Sequence, residues 1–165
     1  MARPLDPASL GDHIDRLYRA AWALCGSSAD AEDLVQDTFE RVLRRPRFLR
    51  REDDLGYLLR VMRNTYLNKR RDRSRRPQET GIPEGFEPVE TRSTSSPEAV
   101  LETREVYAAI ARLSPDYRDV IAAVDVAGLS YAEAAKMLDV PQGTIMSRLY
   151  RARQQIARLI EGSPA

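Results

Sequence analysis

Leu129 to Leu159 reads LSYAEAAKMLDVPQGTIMSRLYRARQQIARL, which divides into a short helix, a tight turn and a longer helix. Ser130-Tyr131-Ala132-Glu133 has the S-x-x-E spacing of a capping box, where the serine and glutamate side chains each accept from a backbone N–H at a helix start. The helix it opens, Tyr131 to Leu138, is broken at Asp139-Val140-Pro141, and a second runs from about Gln142 to Ile160. Ala134 and Ala135 are small where the two helices cross, and Val140 and Ile145 fill the core between them. Ile145, Leu149, Ala152, Ile156 and Leu159 share one face of the second helix; Ser147, Arg148, Arg151, Gln154, Gln155 and Arg158 share the other. Such a helix fits the major groove of duplex DNA, where Arg and Gln read base edges and Ser and Arg grip phosphates. The plainer alternative is an amphipathic bundle helix with a solvated basic face. Capping box, turn and basic second helix together favour DNA.

Upstream of this stretch, the start signal Ser-Pro-acid occurs twice, at Ser96-Pro97-Glu98 and Ser114-Pro115-Asp116, with serine as N-cap and proline at the first helical position. Val100, Leu101, Val106, Tyr107, Ile110 and Leu113 supply the apolar content of the first helix, and the second runs through Ile121 and Val124 to end near Gly128. Residues 77–97 (PQETGIPEGFEPVETRSTSSP) keep no period and hold four prolines, two glycines and a Ser/Thr cluster, the composition of an extended linker. From Pro7 to Arg76 the chain reads as helical. A break falls at Gly26-Ser27-Ser28, a helix starts at Ser28 or Asp30 and stops at Pro46, and another spans about Asp54 to Arg73. On that third helix Leu55, Leu58, Leu59, Met62 and Tyr66 face one way, with Arg60, Asn64, Asn68 and Arg71 opposite. The expectation is an all-α protein of two small helical units, 7–76 and 98–162, joined by a flexible linker at 77–97.

The chain has 165 residues, 42% hydrophobic and 31% charged, enough for a packed core and a soluble surface. No run approaches the roughly 20 apolar residues of a membrane helix, and the N-terminus lacks the apolar stretch of a secretory signal. The expectation is therefore a cytoplasmic protein without membrane insertion. Cys25 and His13 are the only residues of their types, which argues against a disulfide framework, a cysteine-rich metal site and histidine-based catalysis. No catalytic residues, metal or cofactor are expected, and an enzyme is disfavoured. Trp22 reads as core, and Cys25 as a small buried thiol.

The net charge of +1 hides strong segregation. Residues 30–40 carry five acids and no base; residues 60–76 carry eight Lys and Arg against Asp72 alone. Residues 77–98 are acidic again, and residues 136–158 hold five bases against Asp139. Separate blocks imply separate partners, nucleic acid for the basic ones and a protein for the acidic helix, which DNA would repel. Asn64 and Asn68 beside Arg71 suit hydrogen bonding to exposed bases while the backbone is held electrostatically.

AEDLVQDTFERVLRR followed by LGYLLRVMRNTYLNKRR, and then LSPDYRDVIAAVDVAGLSYAEAAKMLDVPQGTIMSRLYRAR, resembles a bacterial RNA polymerase sigma factor. The resemblance is to the small extracytoplasmic-function (ECF) group of the sigma-70 family, which keeps regions 2 and 4, and it covers about residues 10–160. It implies that Asp33, Leu34, Gln36, Asp37 and Phe39 dock on the β′ clamp helices of core polymerase. It further implies that Phe48 and its neighbours up to Asp54 pocket a flipped base of the −10 element, and that Arg60, Asn64, Asn68, Lys69, Arg70 and Arg71 hold the −10 strand. Gln142, Thr144, Ser147, Arg148 and Arg151 then meet the −35 duplex. Implied partners are core RNA polymerase (β′ clamp helices and β flap), promoter DNA and a separate anti-sigma factor. Met146 departs from the pattern, standing where many members carry Lys or Arg.

Two other classes compete. A free-standing helix-turn-helix regulator leaves the acidic helix without a task. A sigma mimic that binds only an anti-sigma factor leaves Asn64, Asn68, Arg148 and Arg151 without one.

Overall fold

A computed structural model describes residues 3–45, 48–49, 54–75 and 96–162, with backbone alone at 48–49, 74–75 and 99–101. Helix α1 spans Ile14–Cys25, α2 Ser28–Arg44, α3 Asp54–Arg75, α4 Pro97–Ala111, α5 Pro115–Val120, α6 Tyr131–Leu138 and α7 Gln142–Glu161. The all-α expectation holds, with helix limits close to those read from the caps. Pro46, the neighbours of Phe48 from 50 to 53, and 76–95 of the expected linker lie outside the described residues.

Local chemistry sets the boundaries. Gly26 takes φ 78° at the end of α1 and its N–H donates to the Trp22 carbonyl at 2.8 Å, a left-handed cap that glycine reaches without strain. The Ser27 hydroxyl then accepts from the Asp30 N–H at 3.3 Å and starts α2. Two features depart from the helical reading of residues 7–76. Pro7–His13 is a 3-10 helix capped by Asp6. Arg3–Pro4 (β1) pairs antiparallel with Phe48–Leu49 (β2), so that part of the chain is extended. Arg3 Nη2 also reaches Asp54 Oδ2 at 2.9 Å, tying the N-terminal segment to the start of α3.

Helix α1 is the centre of the molecule. It packs on α2 and α3 on one side and on α4, α5 and the segment after α5 on the other. Trp22 and Leu17 of α1 are fully buried with Leu34, Leu58, Met62, Ile110 and Ile121. Each such side chain contributes about 1.5–3 kcal/mol by leaving water. Tyr18 packs edge-on to Trp22, with ring centroids 5.8 Å apart. Ile121–Val126 continues α5 as a π-helical segment, closed by Ala127 N–H to the Ala122 carbonyl at 2.9 Å and ended by Gly128 at φ 81°. The wider turn buries Ile121, Ala122 and Ala123 together, facing α1.

The capping box at Ser130 is formed in both directions: Glu133 N–H donates to Ser130 Oγ at 3.1 Å and Ser130 N–H to Glu133 Oε2 at 3.3 Å. Asp139 ends α6 in the left-handed conformation, φ 56°, which reverses the chain into α7. Ala134, Ile145, Leu149 and Ala152 close the α6–α7 core. Helix α6 also packs on α3, so the described helices before residue 76 and after residue 95 share one hydrophobic core.

Candidate nucleic-acid interface

Helix α3 buries Leu55, Leu58, Leu59, Met62 and Thr65 and turns Arg60, Asn64, Asn68 and Arg71 to solvent as one strip. This is the opposite-face arrangement expected from the 100° step, with Thr65 closing its hydroxyl onto the Val61 carbonyl at 2.8 Å. Arg70 is exposed and lies over the Tyr66 ring at 5.8 Å. Lys69 differs: it is half-buried and ion-paired with Asp37 of α2. Arg73 reaches Asp30 at 3.5 Å, so the basic end of α3 runs along the acidic edge of α2.

Helix α2 places Asp33 and Gln36 on the surface, Asp37 and Phe39 half-buried, and Leu34 only 1% exposed. Leu34 is thus a core residue beneath the acidic stripe, because the i, i+4, i+8 apolar line that makes α2 amphipathic runs through it and Thr38. Of the acids read as a protein-facing stripe, Asp30 and Asp37 meet bases of α3, and Glu40 meets Arg44 one turn on, at 2.6 Å. The backbone of Phe48 sits in the short ladder with Pro4; its side chain lies outside the described ones.

On α7 Gln142, Ser147 and Arg151 are exposed, and Thr144 is half-buried. Ser147 Oγ donates to the Thr144 carbonyl at 3.1 Å, leaving its lone pairs outward. Arg148 sits to the side of this surface, 31% exposed and 3.8 Å from Asp116 of α5, so the expected polar face is narrower than the sequence suggests. Arg153 points to the other side and forms a two-point pair with Asp125, at 2.6 and 3.0 Å.

Sequence reasoning gave no sign of the contact between Arg63 and Asp119. Arg63 Nε donates to Asp119 Oδ2 at 2.9 Å across the α3–α5 boundary, with side chains 28% and 12% exposed. Burial pushes the Asp119 carboxyl above its ordinary range, and the Arg63 charge and hydrogen bond pull it partly back. The one available signal was an acid at the start of an apolar run, DVIAAV, and it names no partner. Burial first, and Asp30 next, push the partly buried Cys25 thiol up to about 12, which keeps it protonated near neutral pH. Among the described residues no cluster of His, Cys, Asp and Glu could hold a metal, and no helix is long and apolar enough to cross a membrane.

Family profiles match both parts of the chain: Sigma-70 region 2 over residues 10–76 and Sigma-70, region 4 over 103–156. SigE of Mycolicibacterium smegmatis, an ECF RNA polymerase sigma factor, is 36% identical over 147 residues, covering 87% of this chain and 57% of that protein. SigM of Mycobacterium tuberculosis is 33% identical over 149 residues, covering 90% of this chain and 73% of its own. Among solved structures, the sigma factor RpoE in complex with the anti-sigma factor NepR from Bartonella quintana aligns with TM-score 0.71 and 25% identity, covering 94% of this chain and 96% of that one. CnrH, solved with the cytosolic domain of CnrY, shares the fold at TM-score 0.64 and 21% identity, over 96% and 91% of the two chains. With both regions present in order and relatives above 30% identity over most of its length, the chain belongs to the ECF RNA polymerase sigma factors of the sigma-70 family.

Proposed function

We propose that this chain is a promoter-specificity subunit without catalysis of its own, acting in the cytoplasm. It recruits core RNA polymerase through α2, recognises and helps to open the −10 region through α3, and reads the −35 duplex through α7. The units carrying these tasks are residues 7–76 and 98–162, with 77–97 as linker. The observation that supports this best is the solvent-facing strip Arg60–Asn64–Asn68–Arg71 on one helix, together with exposed Ser147 and Arg151 on a capped helix-turn-helix. Amide side chains beside guanidinium groups suit unpaired bases, and the second helix suits a duplex. Asp33, Gln36, Asp37 and Phe39 form the polymerase-facing part of α2, with Leu34 holding that face from below.

The same reading gives the chain a protein inhibitor, an anti-sigma factor, as in the complex of RpoE with NepR. The shared core between α1, α3, α5 and α6 is the arrangement such a partner would hold closed.

The test is run-off transcription with purified core polymerase and genomic promoter fragments. Transcripts that depend on the added chain support the proposal. Stable duplex binding without polymerase, and no transcripts, would instead make it a free-standing helix-turn-helix regulator.

A further inference from the structure

Two large apolar side chains stand in water on α7. Met146 is 52% exposed and Tyr150 is 66% exposed, one helical turn apart. Their exposure is fixed, because Ile145 and Leu149, which immediately precede them in sequence, are 0% and 2% exposed and anchor the helix rotation in the core. At 100° per residue, Tyr150 and Met146 follow Ser147 toward one edge of the outward surface, and Arg151 lies on its other side. The helix therefore offers an apolar edge and a basic edge across a width suited to one groove.

We propose that Met146 and Tyr150 form an apolar reading edge that packs on thymine C5-methyl groups in the major groove of the −35 duplex. The inference rests on the duplex-reading role of α7 and names part of the sequence that α7 selects. The thymine methyl is the one apolar group that a base pair presents in the major groove; the other base-edge groups are hydrogen-bond donors and acceptors. A methionine thioether accepts only weakly and donates nothing, so it gains little from a guanine, adenine or cytosine edge, and its flexible polarizable chain packs readily on a methyl. The basic side with Arg151 is complementary to phosphate and positions the edge over the bases. A protein partner is the other possible cover, and the surrounding Ser147, Arg151 and Gln154 argue for the polyanion.

The full chain, loaded on bacterial core RNA polymerase, selects duplexes from a random pool amplified either with dTTP or with dUTP, which lacks the methyl. The expected result is a thymine preference at one or two positions that appears only in the methylated pool. Replacing those thymines by deoxyuracil in a selected duplex should weaken binding by about fourfold per methyl, the worth of burying one methylene-sized group. Met146→Ala should erase the methyl dependence while keeping the rest of the selected motif, and Met146→Leu should retain it. Identical motifs from the two pools would overturn the proposal while leaving the duplex-reading role intact. So would a Met146→Ala variant that loses polymerase loading and keeps its methyl dependence, which would assign the edge to a protein. If neither pool yields a motif, the duplex-reading role fails, and this inference with it.

Discussion

Arg63 Nε donates to Asp119 Oδ2 at 2.9 Å, and this pair is a polar tie between α3, which carries the Asn64–Asn68 strip, and the helices that support α7. Beside it Leu59 and Met62 of α3 line one small cavity with Ala122 and Ala123 of the π-helical segment and Met137 of α6, all buried. The two helices proposed to face nucleic acid are thus held on one core. In that setting their spacing is set by protein contacts rather than by a promoter.

Arg63→Ala leaves a largely buried carboxylate without its donor. The expected cost is about 1–3 kcal/mol, the range for a lost hydrogen bond to a charged group. Urea unfolding followed by Trp22 fluorescence should show the lowered midpoint. Adding Asp119→Ala should recover part of the loss, and strict additivity of the two changes would mean that they do not interact.

The Asp119 carboxyl also predicts a pH dependence. Its folded pKa is raised above the ordinary aspartate value, so between the two values the folded chain binds more protons than the unfolded one. Stability contributed by this group therefore rises as pH falls from neutral into that window. Asp119→Asn should remove the effect, and the check is the difference in unfolding midpoint between the two proteins across mildly acidic pH. A difference that does not vary with pH would contradict the burial account.

Asp37 is ion-paired with Lys69, linking a residue proposed to meet polymerase with one proposed to hold the −10 strand. With both side chains more than a third exposed, the pair itself contributes at most about 1 kcal/mol. Asp37→Asn with Gln36→Ala should weaken polymerase binding while duplex binding through α7 is unchanged and single-stranded −10 binding is equal or higher. Loss of all three together would end the division of labour between α2 and α3.

Arg151 is exposed, whereas Arg148 is partly covered and faces Asp116. Arg151→Ala should reduce promoter affinity by about 1–3 kcal/mol and lower the salt slope by about 1. The Arg148→Ala change should be smaller, because binding through Arg148 must first give up its carboxylate partner. Titrations at several salt concentrations distinguish them, and equal effects would contradict the geometry.

Cys25, held at about 12 by burial and Asp30, should resist a neutral thiol reagent at pH 8 until denaturant unfolds the chain. Between the ordinary value of 9.0 and 12 the unfolded chain releases the thiol proton and the folded chain keeps it. Stability should therefore fall as pH rises through that range. Rapid native labelling at pH 8 would show that the thiol is accessible.

What the sequence determined by itself was local and periodic. The helix start at Ser130 and the stops at Gly26 and Asp139 follow from capping chemistry that acts within four residues, and the start of α5 from Pro115 at its first position, where Ser114 makes no side-chain cap. The Arg60–Asn64–Asn68–Arg71 strip follows from the helical step, and the fold class and family follow from motifs that lie in order along the chain. Contacts between segments far apart in sequence were decided by tertiary structure alone. No pattern along the chain announces that Arg63 will meet Asp119, that Arg3–Pro4 will pair with Phe48–Leu49, or that Asp37 will hold Lys69. Periodicity fixes which residues share a face; which face finds a partner depends on how distant helices dock, and that is set by the whole packed core.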